Sequence, residues 1–324
     1  MSLRILVEPQ QGATYEQVRV FAQHAESLGF EGVFTSDHYL RIGAGDPGPG
    51  PLDAWLLLAG LARDVPRLRL GSMMSPVSLR HPAVLALMAA QVDAMSGGRL
   101  EVGVGAGWYE EEHRALGVQL DPPSRRFDRL AEALEIITGV WRHPAGKTFD
   151  FASEHYRLAD WPALPKPVQQ PGPPLLLGGV GRRRTPALAA RHADEFNVPF
   201  APVAQAATAY ERVRSECRSR LRPEASLALS AALVLCPGEG AALAARVEAS
   251  GEPVDEINRM GAAGPVEMVA EAMNRYRAAG AQRLYAQVCD VTDLAHLDEL
   301  AEAHRLAQQE MPTVPAHPQT SSRS

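Results

Sequence analysis

Short apolar runs alternate with longer stretches whose apolar residues recur every three or four positions, and this beat repeats along most of the chain. Leu3 to Val7 is the first run. Thr14 opens a helix, and Gln17 three residues later completes a capping-box pattern. Tyr15, Val18, Phe21, Ala22, Ala25 and Leu28 share one face of that helix before Gly29 ends it. Gly32 to Thr35 is a second buried strand, followed by a loop from Ser36 to Pro51. A helix from about Asp53 to Ala62 leads to a strand at Leu68 to Gly71. His81-Pro82 opens a helix carrying Leu85, Met88, Val92 and Met95, with proline at a favoured first-turn position. The fourth strand is Leu100 to Val104, and Phe127, Leu130, Leu134, Ile137 and Trp141 fall in register on the next helix.

After Trp141 the beat breaks. Residues 142–173 hold six prolines and several aromatics, and Thr148 to Phe151 with His155 to Leu158 predict a small hairpin outside the main body. The beat resumes with a strand at Pro174 to Leu177, a helix from its cap Thr185 to His192, and a strand at Glu195 to Val198. Leu227 to Leu235 and Arg283 to Val288 supply the last two strands. Eight such strand–helix units predict an α/β fold, a closed parallel (β/α)8 TIM barrel with an insertion between strands 4 and 5. One domain is expected over residues 1–311, with a polar, Pro-rich, disordered tail at 312–324.

Composition narrows the class without changing it. Hydrophobic residues are 46% and charged residues 22%, with a net charge of -6, so a large core is expected and a broad basic footprint for nucleic acid is excluded. Cys217, Cys236 and Cys289 show no ligand-like spacing, and no apolar run reaches the roughly 18 residues of a membrane span. A cytoplasmic protein with no nucleic-acid or membrane partner and no metal is expected.

In a barrel of this kind chemistry lies where the strands end. Four stretches qualify. Ser36-Asp37-His38 follows strand two; His38 is a candidate acid–base group that the adjacent Asp37 would tune, and a simple loop cap is the bland alternative. Gly71-Ser72-Met73-Met74-Ser75-Pro76 ends strand three, where a strand followed by a turn explains the residues equally. Gly103-Val104-Gly105-Ala106-Gly107-Trp108 ends strand four; its glycines suit close approach of a ligand or a tight turn, and they lack the spacing of a dinucleotide fingerprint. Gly178-Gly179-Val180-Gly181 precedes a helix start and Arg182-Arg183-Arg184, a combination suited to a phosphate or to a solvated basic helix start. Glu110-Glu111-Glu112-His113 reads as a solvated first helical turn.

In combination and in order these stretches resemble the luciferase-like monooxygenase superfamily, in its branch that uses the deazaflavin coenzyme F420. The resemblance runs from Leu3 to about Leu306. It is carried by Ala22-x-x-Ala25-Glu26-x-x-Gly29-Phe30 with Ser36-Asp37-His38, by Leu70-Gly71-Ser72 through Arg80-His81-Pro82, and by Ser96-Gly97-Gly98-Arg99-Leu100 through Gly107-Trp108. Gly178-Gly179 with Ala193-Asp194-Glu195-Phe196-Asn197 adds to it.

The resemblance implies Asp37 and His38 as the catalytic pair beside the deazaflavin ring. It implies Ser72, Met73 and Ser75 as cofactor contacts, with a non-proline cis peptide at Ser72-Met73. Gly105, Ala106, Gly107 and Trp108 would run along the cofactor, and Gly178, Gly179, Val180, Gly181 and Arg182 would hold its phosphate. One departure is plain: sugar-phosphate dehydrogenases of this branch place an acidic glutamate where this chain has Trp108, and Glu110 to Glu112 are expected to lie too far on. The implied activity is F420-dependent hydride transfer with a small organic substrate, by a homodimer. FMN-dependent oxygenation and a non-catalytic flavin-binding barrel are the alternatives. The insertion at 142–173 and the loop from Leu40 to Pro51, with three glycines and three prolines from Gly45 onward, are expected to line or cover the pocket.

Overall fold

In the computed structural model, which describes residues 1–309 apart from 44 and 47, eight parallel strands close into a barrel. They are β1 (Ser2–Val7), β2 (Gly32–Thr35), β3 (Arg69–Pro76), β4 (Leu100–Gly105), β5 (Leu175–Gly178), β6 (Glu195–Pro199), β7 (Ala228–Pro237) and β8 (Arg283–Val288). Each pairs in parallel with the next, and β8 pairs with β1 from Ser2↔Arg283 to Val7↔Val288, which closes the ring. A short strand at Ala262–Gly264 extends the top of β7.

The helices are α1 (Tyr15–Leu28), α2 (Ala54–Asp64), α3 (Pro82–Ser96), α4 (Glu110–Ala115), α5 (Pro123–Arg142), α6 (Arg184–His192), α7 (Val203–Ser219), α8 (Gly240–Ser250), α9 (Val254–Met260), α10 (Val266–Ala278) and α11 (Leu294–Gln309). The Thr14–Gln17 capping box is formed in full, and Gly29 takes the left-handed conformation that ends α1. Thr185 is not the cap of α6: the helix begins one residue earlier, and Thr185 lies buried in its first turn.

Two apolar layers hold the barrel. The outer one lies between strands and helices and includes Ile5, Val33, Leu70, Val102 and Leu134. The inner one fills the barrel with Leu6, Phe34, Met73, Leu176, Ala232 and Tyr285. Each fully buried side chain of the size of Phe34 contributes roughly 1.5–3 kcal/mol. The layering therefore leaves the two barrel ends, and not its middle, for polar side chains.

The insertion forms an antiparallel pair, Phe149–Ala152 with Arg157–Trp161, slightly later than its pattern suggests. It packs on α5: Phe149 fills the space beside Gly139, where an added Cβ would meet Phe149 at 2.9 Å, and the Ser153 hydroxyl donates to Glu132 at 2.7 Å. The insertion thus flanks the barrel wall along α5, with Tyr156 set against His81 and Arg129. The expected disordered tail at 312–324 and two positions of the 40–51 loop lie outside the described residues. Among the described residues no helix is long and apolar enough to cross a membrane.

Candidate active site

At the end of β2 the backbone still pairs with β1, the Ser36 N–H donating to the Val7 carbonyl at 3.1 Å. Alternation along an extended chain sends Asp37 and His38 to different surroundings. The buried Asp37 carboxylate accepts two hydrogen bonds from Arg80, at 2.6 and 2.7 Å, and one from the Ser75 hydroxyl at 2.6 Å. Arg80 continues to Asp53 at 2.9 Å, and Asp53 caps α2. Burial opposes the Arg80 charge, but Asp37 and Asp53 outweigh it and hold the guanidinium above its ordinary value. Asp37 therefore ties β2 and β3 to α2. Arg80 and Ser75 hold its carboxylate in place, and its charge still adds to those of Glu112 and Glu8 that raise His38.

The partner of His38 is Glu112. The His38 Nδ1 lies 3.2 and 3.3 Å from the two Glu112 carboxylate oxygens, and the Tyr39 N–H donates to the same carboxylate. Glu112 is 1% exposed. Burial would push His38 down, but the hydrogen bond and charge of Glu112 prevail and raise it above 6.5. Burial would push Glu112 up, and His38 with the Tyr39 N–H holds it below 4.5 instead. A carboxylate can only accept, so Nδ1 carries the proton and Nε2 is the titrating nitrogen. Among the described residues no group hydrogen-bonds Nε2.

Glu110 and Glu111 are exposed, as a solvated first turn requires, but Glu112 and His113 are buried. The sequence carried a signal for this: α4 offers Ala115 as its one apolar residue, so any face it packs inward must be polar. His113 Nδ1 lies 2.7 Å from the Tyr109 carbonyl and must donate to it, so Nε2 accepts from the Ser78 hydroxyl at 2.8 Å. That pair pins α4 to the loop after β3. Trp108 stacks on Tyr109 with centroids 5.2 Å apart, and both rings meet His38 edge-on at 5.8 and 6.0 Å. Trp108 remains 60% exposed, so an aromatic wall stands beside the imidazole.

The non-proline cis peptide joins Met73 to Met74, one bond later than expected, where the β3–β4 register shifts. The hydroxyls of Ser72 and Ser75, two of the expected cofactor-binding positions, are engaged within the protein. The buried Ser72 hydroxyl bridges the backbone of Gly103, and the buried Ser75 hydroxyl is shared by Asp37 and the Trp55 Nε1. Met73 belongs to the apolar floor beneath the mouth, with Met74 packed against it. Gly105 and Ala106 are half-buried on the rim. Gly107 has φ of 79°, and a Cβ there would lie 2.0 Å from the Ser78 hydroxyl, so no other residue fits.

On β5, a Cβ at Gly178 would meet the Met74 side chain at 2.6 Å. The Gly179 N–H donates to the Asn197 carbonyl at 3.0 Å, and Val180, Gly181, Arg182 and Arg183 are exposed. Arg184 is engaged by Asp128 and the Ser124 carbonyl, whereas Arg182 and Arg183 form no ion pair among the described residues. The start of α6 has no side-chain cap.

Two polar groups at the mouth escaped the sequence reading. Glu8, just past β1, accepts from Gln10 and from Gln287 at 2.8 Å, and Gln10 in turn accepts from the Ser36 hydroxyl at 2.6 Å. A carboxylate directly after a buried strand was the available signal. Among the described residues no group of three or more His, Cys, Asp or Glu is arranged to hold a metal ion.

Comparison with known proteins bears on this geometry. The family described as luciferase-like monooxygenase matches residues 2–248. The chain is 30% identical over 164 residues to an FMNH(2)-dependent dimethylsulfone monooxygenase from Pseudomonas putida, covering 51% of this chain and 43% of the relative. It is 33% identical over 177 residues to an F420-dependent glucose-6-phosphate dehydrogenase from Microbacterium testaceum, covering 54% and 50%. These matches thus span about half the length of each relative. A solved F420-dependent secondary alcohol dehydrogenase, in complex with an F420-acetone adduct, superposes with a TM-score of 0.83 at 18% identity, covering 94% of this chain and 98% of that one. Monooxygenase RslO1 from Streptomyces bottropensis superposes at 0.75 and 20% identity, covering 96% and 98%. At such identities the superpositions establish the shared barrel.

Proposed function

We propose, from the premise that this chain belongs to the luciferase-like monooxygenase family, that it transfers a hydride between coenzyme F420 and a small organic substrate such as a secondary alcohol or its ketone. The observation that carries the proposal is His38, whose Nδ1 is fixed by buried Glu112 while Nε2, beside an aromatic wall, has no hydrogen-bond partner among the described residues. Oxidising an alcohol removes a hydride from carbon and a proton from oxygen, so a positioned base of adjustable charge is what the protein must add.

The residues present fit such a cofactor. The inner apolar layer, with Met74 against it, offers a floor for a flat ring, and the exposed Arg182 and Arg183 before an uncapped helix start suit a phosphate. The bound deazaflavin would supply hydride acceptance or donation. His38 Nε2 would take the hydroxyl proton in the oxidising direction and return it to the carbonyl oxygen in the reducing one. Trp108 and Tyr109 would exclude water from one side. The raised His38 value favours reduction at lower pH and oxidation above it. The solved secondary alcohol dehydrogenase, which is in complex with an F420-acetone adduct, lends support. A homodimer, as the resemblance implies, belongs to the same proposal and is tested by sedimentation.

Flavin-dependent oxygenation is the second possibility, favoured by the FMNH(2)-dependent relative. Titrating the purified protein with F420 and with FMN, then following oxidation of each reduced cofactor with and without air, separates the two. Saturable F420 binding, with air-independent turnover on secondary alcohols that falls on the order of 10²-fold or more in His38→Ala, is expected. Tight FMN binding alone, with oxygen consumption, would overturn the hydride-transfer proposal.

A further inference from the structure

A cavity of about 240 Å³ opens beside the β4 loop, between the connection after β3 and the start of α5. Val77, Ala106 and Val118 give it apolar walls, and Arg126 and Arg129 give it charge. The two arginines differ. Arg129 is held by Asp121 at 2.7 Å and lies over the Tyr156 ring at 6.0 Å. Arg126 has no carboxylate partner among the described residues: its Nη1 donates to the Gly107 carbonyl, and its Nε is buried with no acceptor. A buried donor left unmade is costly unless a ligand supplies the acceptor. With Nη1 on the Gly107 carbonyl, Nε is the guanidinium donor left without an acceptor, and a carboxylate that settled against Arg126 would supply it a charge-assisted hydrogen bond. The Ser78 hydroxyl, on the same wall, already donates to His113. That leaves Arg126 as the guanidinium of this cavity with no carboxylate partner among the described residues. The 20-residue helix α5 begins here without a side-chain cap, so its field favours the same sign of ligand.

We infer that this cavity is a carboxylate subsite, seating a planar anionic group on Arg126 and a short apolar body against Val77, Ala106 and Val118. Two sources share that chemistry: a free small organic acid, or the acidic end of a bound cofactor. The second source rests on the F420 proposal, through Ala106 and Gly107, which that proposal lays along the cofactor.

The test uses the full chain and calorimetry with butyrate, against neutral butyramide. Butyrate is expected to saturate and butyramide not to. Arg126→Gln should weaken butyrate binding at least about tenfold, with partial recovery in Arg126→Lys. Val118→Trp, which keeps the guanidinium but fills the cavity, should weaken it too, and thermal unfolding verifies that each variant folds. Parallel titrations use F420, which carries carboxylates beyond its phosphate, and FMN, which carries none. Weakened F420 but unchanged FMN affinity in both variants, with butyrate competing against F420, assigns the cavity to the cofactor's acidic end. Weakened butyrate binding with both cofactors unaffected assigns it to a free acid. Butyrate no better than butyramide, with F420 affinity unchanged in both variants, overturns the inference. Failure of F420 to bind wild-type protein would sink the F420 proposal and leave the butyrate arm to decide the cavity.

Discussion

The two ends of the barrel both bury charge, and they treat it differently. At the amino end of the strands Arg4, with no exposure at all, donates to Glu101 at 2.7 Å, to Tyr285 at 2.8 Å and to Glu31 at 2.7 Å. Arg69 adds to Glu101, and Arg283 with the Tyr285 hydroxyl adds to Glu195. Burial opposes the Arg4 charge, but Tyr285 and the surrounding carboxylates outweigh it. Glu101 and Glu195 each meet more than one donor there, while Arg4 Nε and Glu31 Oε2 find no hydrogen-bond partner among the described residues. At the carboxyl end, Glu112 and Asp37 are equally well met, yet His38 keeps Nε2 free and Arg182 and Arg183 stand unpaired among the described residues. Charges paired with one another inside the barrel are architecture; a titrating nitrogen and unpaired cations at its mouth are chemistry.

That contrast is breakable. Arg4→Met strands Glu101 and Glu195 without their central cation and should cost about 3–5 kcal/mol of stability in denaturant unfolding. Turnover per folded molecule should stay within about twofold, since this end of such a barrel serves stability. A large fall in turnover at full stability would erase the distinction between the ends. Asp37→Asn, at the other end, should lower stability by about 1.5–3 kcal/mol and move the acid limb of the pH profile to lower pH by less than the loss of the Glu112 charge does, since Asp37 is a smaller contributor to the raised His38.

Glu112→Gln should move that limb further. Turnover in the oxidising direction should fall on the order of tenfold, with the acid limb of its profile moved to lower pH as His38 loses the charge that raises it. The stability signature has a defined window. His38, raised on folding, contributes fully below 6.5 and loses its contribution as pH climbs through the higher folded value. Glu112, lowered on folding, contributes fully above 4.5 and loses its contribution as pH drops through the lower folded value. The pair therefore stabilises most between those two ordinary values, and Glu112→Gln should flatten unfolding curves there. A profile unmoved by the substitution would remove Glu112 from the site. The smallest effect is expected for Arg182→Ala, about a two- to fivefold loss of cofactor affinity that shrinks with added salt.

Much of the fold was legible because it is written in local periods. Eight apolar runs, the Thr14 capping box and the Gly29 stop are each read within a few residues. His38 was legible by position alone. The hydrogen bonds of Asp37 to Ser75 and Arg80, 38 and 43 positions away, lay beyond any local pattern. The internal partners of Ser72 and Ser75 were hidden in the same way, because a hydroxyl at a strand end serves a neighbouring strand as readily as a ligand. Glu112 stayed hidden as well: it meets His38 across 74 positions, through closure of the barrel that no local pattern encodes.

The short helix α4 presents Glu112 and His113 side by side, one gripping the end of β2 and the other the loop after β3. A residue inserted between Gly105 and Glu112 would turn that face by about 100° and release both grips together. Length is therefore fixed on this side of the rim, and natural or engineered insertions must enter elsewhere. Residues 142–173, packed along the outer wall, already occupy a place where the chain can grow without disturbing His38.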